Sequence, residues 1–149
     1  MSEPAKHPAK FNDAIVTSPC YGNRMADHHN ARENSKRNTY KHTLGRNLTP
    51  GSAAGMQWGE DYRKFHNEVW QECYTVLKPG GVFVLNCKDH VRKGVVQQVT
   101  DWHIETLMTL GLEMVDSYLI EAKGNRQGEN GDVRVGHETV TVLRKPIDL

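Results

Sequence analysis

Apolar residues along this chain fall into short blocks of two rhythms, separated by two long polar stretches. Residues 11–18, FNDAIVTS, set Ala14, Ile15 and Val16 in succession. A run apolar on consecutive positions is the pattern of a strand covered on both faces. Before it, residues 1–10 carry two prolines and read as a disordered leader. From Glu60 to Leu77 the rhythm changes. Tyr62, Phe65, Val69, Cys73 and Val76 recur at helical spacing and predict one buried face. Glu60 and Asp61 lie in the first turn, where negative charge suits the helix dipole, and the KPGG at 78–81 stops the helix. VFVLNC, 82–87, predicts a second buried strand.

A second helix is expected from about Gly94 to Leu110. Val95, Val99 and Trp102 would face inward with Val96, His103 and Leu107, and Gly111 would cap it. Leu112–Glu121 predicts a third strand, and HETVTVLR, 137–144, alternates with period two and predicts a fourth. Between these two lies a glycine-rich polar loop, KGNRQGENGD, at 123–132. Strands alternating with helices imply an α/β fold with a mainly parallel sheet. The last two strands have no helix between them and should form an antiparallel hairpin. In such sheets ligands sit beyond the carboxyl ends of the strands, which singles out SPCY after the first strand and NCKDH after the second.

Composition narrows this picture only in places. The length of 149 residues suits one domain with a real core. A net charge of +1 does not announce a nucleic-acid partner, so any basic patch is local. Such a patch exists. Residues 22–57 have no hydrophobic periodicity and carry Arg24, Arg32, Lys36, Arg37, Lys41 and Arg46 against two acids, Asp27 and Glu33. A loop of that length in a compact domain is functional or disordered. Because it directly follows the candidate site at SPCY, with Tyr40 among its cations, contact with nucleic-acid phosphates is expected. Cys20, Cys73 and Cys87 are odd in number and widely spaced, which argues for reduced thiols in the cytoplasm rather than a disulfide framework. No stretch reaches the length of a membrane span, and no membrane contact is expected. His28 and His29 have no ligand at metal spacing, so no metal is expected. Trp58, Trp70 and Trp102 read as core or interface residues.

Three motifs carry a resemblance. TSPCY (17–21) is similar to the (Asp/Asn/Ser)-Pro-Pro-aromatic motif of the amino-group DNA methyltransferases, which methylate adenine N6 or cytosine N4. VLKPGGVFVL (76–85) resembles a helix-to-strand turn widespread in S-adenosylmethionine-dependent methyltransferases, and HETVTVLRKP (137–146) resembles the way those domains end. The likeness runs from about Phe11 to Pro146, interrupted by the basic loop. It implies a partial Rossmann-like methyltransferase sheet, S-adenosylmethionine as methyl donor, and DNA as partner.

The resemblance also assigns roles. An exocyclic base amine is a poor nucleophile because its lone pair is delocalised into the ring. Acceptors in a rigid turn can draw that lone pair out, and an aromatic face can receive a base that has left its stack, at about 1–3 kcal/mol per stacked base. Ser18 and the Pro19 carbonyl would therefore hold the amine, and Tyr21 would stack on the base. Ser at position 18 leans towards cytosine N4. Cys20 stands where the family has a second proline, so the turn loses one constraint on φ; a nucleophilic role for Cys20 is disfavoured, since nothing near it in sequence would lower its pKa. Asn86, Asp89 and His90, with Lys88, are candidate pocket residues that could contact base or sugar, or simply open a solvated loop.

A second departure is larger. No Gly-x-Gly turn joins a strand to a helix, so the resemblance covers the catalytic half of the fold without its cofactor half. The AIV strand would then be an open sheet edge, which calls for a partner chain supplying the missing half or a homodimer through residues 14–16. The alternative is a non-catalytic DNA-binding relic or accessory subunit. Methylation of RNA or of a protein glutamine is a third reading, because the same acceptors suit planar amides.

Overall fold

The computed structural model describes residues 12–22, 53–122 and 135–147. The expected leader at 1–10, all six cations of the basic stretch, His28 and His29, and the glycine-rich loop at 123–132 lie outside the described residues. Along the described chain run β1 (Asn12–Thr17), a short 3-10 turn (Ala53–Gly55), α1 (Glu60–Val76), β2 (Leu77–Cys87), β3 (His90–Arg92), β4 (Val95–Gln97), α2 (Val99–Leu110), β5 (Glu113–Glu121) and β6 (His137–Arg144).

Four strands make one sheet in the order β1-β2-β6-β5. β1 and β2 are parallel, while β6 runs antiparallel to both of its neighbours. Three of the four strands therefore point the same way, and the fold is the expected α/β sheet with an antiparallel hairpin at its end. What local patterning did not foresee is the place of β6, which enters the middle of the sheet.

Helix α1 occupies the predicted segment, but its most buried line is Tyr62, His66 and Trp70. The expected stripe members Phe65, Val69, Cys73 and Val76 are only half-buried. His66 and Trp70 escape a count of apolar residues, yet each has the size to fill the core and a polar atom that finds a partner there. The helix ends at Val76, and Leu77 already belongs to β2, five positions before the strand expected at Val82. KPGG is thus more than a stop. Gly80 takes a φ of 79°, open to glycine at little strain, and its N–H donates to the Lys145 carbonyl at 2.7 Å. The Lys145 N–H returns to the Gly81 carbonyl at 2.9 Å, and the Lys145 ammonium donates to the carbonyls of Tyr74 and Leu77 at 2.6 and 2.9 Å. A cation there satisfies the last carbonyls of α1 and complements its dipole.

The second expected helix is corrected. Residues 94–98 are not helical: Lys93 (φ 50°) and Gly94 (φ 76°) form a tight turn between β3 and β4. Two successive positive φ values are what a two-residue hairpin requires. Val95 and Val96, expected to face inward, are exposed on that hairpin. Helix α2 begins only at Val99, where the Asp89 carboxylate accepts the Thr100 N–H at 2.8 Å, and its buried residues are Val99, Thr100, His103 and Leu107. Gly111 caps it as expected.

The core gathers Tyr62 and Trp70 from α1, Val99 and Leu107 from α2, and Leu77, Phe83, Leu85, Cys87 and Leu143 from the sheet. Strand β2 was expected to be buried on both faces. Instead Phe83, Leu85 and Cys87 are buried while Val82, Val84 and Asn86 are half-buried. The consecutive apolar run of β1 is likewise not enclosed. Among the described strands β1 pairs with β2 alone, and Val16 is 76% exposed. All nine residues of β5 are exposed. No helix of the described residues is long and apolar enough to cross a membrane.

Candidate active site

The candidate site begins where β1 ends. Thr17 stands opposite Leu85 in the parallel pair, so Ser18–Tyr21 leaves the sheet beside the chain that leaves β2 at Cys87. This is the carboxyl end of two parallel strands, the usual ligand position in an α/β sheet. Ser18 is exposed, and Pro19, Cys20 and Tyr21 are half-buried. The Ser18 hydroxyl and the Tyr21 hydroxyl are hydrogen-bonded at 2.8 Å across the turn. Burial raises the Tyr21 phenol above its ordinary pKa, with the Ser18 bond opposing, so the side chain stays a neutral phenol at pH 7. It can donate its proton to Ser18 and leave a Ser18 lone pair open to an incoming N–H.

Two further contacts fix this turn. Gly22 (φ 73°) accepts the Trp58 N–H at 2.8 Å through its carbonyl, and a Cβ there would stand 2.9 Å from the Trp58 nitrogen. Both the backbone angle and the space require glycine. Trp58 in turn packs edge-on against Tyr62 and Trp102, with ring centres 5.3 and 5.7 Å away, and the Arg63 guanidinium lies 4.5 Å from its ring centre. The second contact comes from beneath, where the Tyr62 hydroxyl donates to the Cys20 carbonyl. That hydroxyl is also 2.8 Å from His103 Nε2, and His103 Nδ1 accepts the Trp70 indole N–H at 2.9 Å.

At the end of β2 and just beyond it, Asn86, Lys88 and His90 are half-buried. Asn86 Oδ1 and both ring nitrogens of His90 are shielded from solvent and lack a hydrogen bond of good geometry, as does Arg92 Nη2. Burial lowers the His90 pKa, and the nearby Arg92 cation lowers it further. The Tyr21 main chain lies close enough to oppose this, which puts His90 beside the turn. A shielded polar atom without a partner is uncommon and marks a place where a ligand atom can bind. Asp89 behaves differently. One of its oxygens caps α2, so its fixed role is structural.

Cys20 is half-buried, and burial raises its thiol above the ordinary range; Cys87 is pushed up to about 12 for the same reason. Neither is a thiolate at pH 7, which removes the activation a nucleophilic Cys20 would need. Among the described residues no group of three His, Cys, Asp or Glu side chains gathers at metal-binding distance.

Ser18, Pro19, Cys20 and Tyr21 are brought together with His90. The six cations Arg24, Arg32, Lys36, Arg37, Lys41 and Arg46 are outside the described residues. Trp70 is a core residue, and Trp58 and Trp102 pack against the core, as expected. Sequence reading missed the supports Gly22 and Tyr62. Tyr62 and His103 were visible only as members of inward faces, and nothing in a one-dimensional pattern joins residues 41 positions apart.

A family model for DNA methylases matches residues 12–147. No curated protein matches the sequence. Among solved structures, TTHA0409 of Thermus thermophilus, assigned as a DNA modification methylase, is similar in its complex with S-adenosyl-L-methionine. Identity is 20% and the TM-score 0.58, over 97% of this chain and 52% of that one. Its selenomethionine derivative gives 18% and 0.61, over 97% and 49%. The cyclase SpnF gives 12% and 0.51, over 97% and 53%. This chain thus spans about half the length of each of these solved chains, and at such identities the likeness is one of fold.

Proposed function

We propose, from the premise that this chain belongs to the DNA methylase family, that it presents the exocyclic amine of a flipped base, cytosine N4 or adenine N6, for methylation. The observation that carries the reading is the turn at Ser18–Tyr21. It combines an acceptor hydroxyl, a carbonyl next to a ring-fixed residue and an aromatic face, at the carboxyl end of a parallel strand, with the shielded polar atoms of Asn86 and His90 nearby.

In this reading Ser18 Oγ and the Pro19 carbonyl accept the two amine hydrogens, which favours a pyramidal nitrogen with a localised lone pair. Tyr21 stacks on the extruded base. Asn86 and His90 offer polar atoms to the base edge or sugar. The cations Arg24, Arg32, Lys36, Arg37, Lys41 and Arg46 are assigned to DNA phosphates. No thiolate takes part.

S-adenosylmethionine supplies the methyl group. Among the described residues no Gly-x-Gly turn leads from a strand into a helix, although Gly59 stands at the N-terminus of α1, and no donor site is assigned to them. The chain is therefore assigned the base-handling half, with the donor held by a partner chain, by a further segment or by a second copy joined along residues 14–16. The side of β1 that no described strand pairs supports such an addition. The same absence favours a second reading, an accessory DNA-binding subunit without catalysis.

Calorimetric titration with S-adenosylmethionine, followed by nucleoside mass spectrometry of DNA incubated with both, separates the two. Micromolar binding with appearance of N4-methylcytosine or N6-methyladenine, lost in Ser18→Ala, is the expected result for a chain active alone or as a homodimer. DNA binding without donor binding assigns the chain to a split enzyme or to the accessory role. Donor binding with no base methylated, on DNA that the protein binds, overturns the base-amine reading.

A further inference from the structure

The hydrogen bonds beneath the turn have only one consistent direction. An indole N–H can only donate, so His103 Nδ1, 2.9 Å from Trp70 Nε1, must be a bare acceptor. A neutral imidazole then carries its proton on Nε2, which points at the Tyr62 hydroxyl 2.8 Å away. With its oxygen occupied by that N–H, Tyr62 directs its own proton to the Cys20 carbonyl. Each donor has one acceptor and none is spare. The chain Trp70–His103–Tyr62 is sealed from water, with His103 and Tyr62 at 0% exposure and Trp70 at 2%. A second proton on His103 would set Nδ1–H against the indole N–H, so the imidazolium is excluded. Burial and the neighbouring His66 hold its pKa down accordingly.

The far end of this chain is not core but the candidate site. Pro19 fixes its own φ through its ring; Cys20, which follows, has no such ring. Its carbonyl is gripped by Tyr62, which sets the plane of the peptide joining Cys20 to Tyr21, and hence the direction in which the Tyr21 ring leaves the turn. We propose that Tyr62 is a positioning residue for the Ser18–Tyr21 turn, and that Trp70 and His103 fix its hydroxyl so that it can donate only to the Cys20 carbonyl. The inference rests on the reading of this turn as the base site, and it adds the device that keeps the turn rigid before a base arrives.

Three measurements on the full chain test it. In the parent protein, nitrogen-15 spectra of His103 should show Nε2 protonated and Nδ1 bare. The opposite tautomer overturns the proposal without any substitution. Tyr62→Phe keeps the ring packed and removes one oxygen. Amide order parameters at Cys20 and Tyr21 should fall from about 0.85 to below about 0.6, while those of α1 remain unchanged. Unchanged values at Cys20 and Tyr21 in the folded variant overturn it. The third readout is the fluorescence change of a single-stranded oligonucleotide carrying 2-aminopurine, whose affinity for Tyr62→Phe should be about ten-fold weaker than for the parent. Equal affinity overturns the claim that the clamp serves binding. A parent protein that gives no signal with this probe sinks the base-site reading instead, and the order parameters still decide whether the clamp exists.

Discussion

Replacing His103 with glutamine should change how this protein responds to acid. Glutamine keeps one acceptor for the Trp70 indole and one donor for Tyr62, but it does not titrate. In the folded parent the His103 pKa is lowered from 6.5 to about 3, first by burial and then by His66. The unfolded chain takes up a proton near 6.5 and the folded one does not, so the sign is fixed. Stability is full above pH 6.5, falls as the pH drops, and the loss is complete near pH 3. At about 1.36 kcal/mol per pH unit once the unfolded imidazole is charged, His103 alone removes about 2 kcal/mol between pH 7.5 and pH 5. For a chain of this size that is a fall of about 4–8 °C in melting temperature. Urea titrations of both proteins at pH 7.5 and 5.0 measure it. His90, also lowered by burial, contributes to parent and variant alike, so the difference of differences reports His103 together with its coupling to His66. The parent should lose about 2 kcal/mol more than His103→Gln. Equal losses would refute the claim that a neutral, sealed imidazole sits under the turn.

Two other substitutions probe the site from its two sides. Gly22→Ala forces a Cβ to 2.9 Å from the Trp58 nitrogen at a φ of 73°; it should destabilise by about 1–3 kcal/mol in urea titration, and a change under about 0.5 kcal/mol would contradict the close approach drawn here. Tyr21→Ala removes a half-buried ring at the end of a turn, so thermal melts should move little while affinity for DNA with an unpaired target base falls by about ten-fold; equal binding by variant and parent would end the stacking role.

Much of this architecture could be read from residue order, and the misreadings have physical causes. Helix α1 and strand β6 were legible because their apolar residues keep one period over many positions. Residues 94–98 were not, because Gly94-Val95-Val96 suits a helix start and a hairpin strand alike, and only the paired positive φ of Lys93 and Gly94 decides. The deepest line of α1 was missed because His66 and Trp70 have polar atoms, and only a partner elsewhere makes their burial favourable. At the site, Ser18, Pro19 and Tyr21 stood out through residue type and order. Gly22 and Tyr62 did not, since their value lies in contacts with Trp58 and Cys20 that sequence distance conceals. The full enclosure expected for β1 and β2 failed for a related reason: an apolar run records what a strand prefers, not what covers it.

The position of β6 has a consequence in time. β6, made after β2 and β5, lies between them, and Val82 must wait for Arg144 before that side of β2 is paired. β1 likewise waits for β2, since Ala14 pairs with Val82. At about 5–20 residues per second, several seconds separate the synthesis of β2 from that of its central neighbour, during which one side of β2 and the inner side of β5 lack their partner. The sheet therefore assembles only after residue 144 is made, through distant rather than local contacts, a topology that folds slowly and is open to wrong pairing meanwhile. A ribosome that stalls between β5 and β6 would leave two unsatisfied strands and no centre, so this protein's yield should depend on translation through residues 123–132 as much as on the stability of the finished fold.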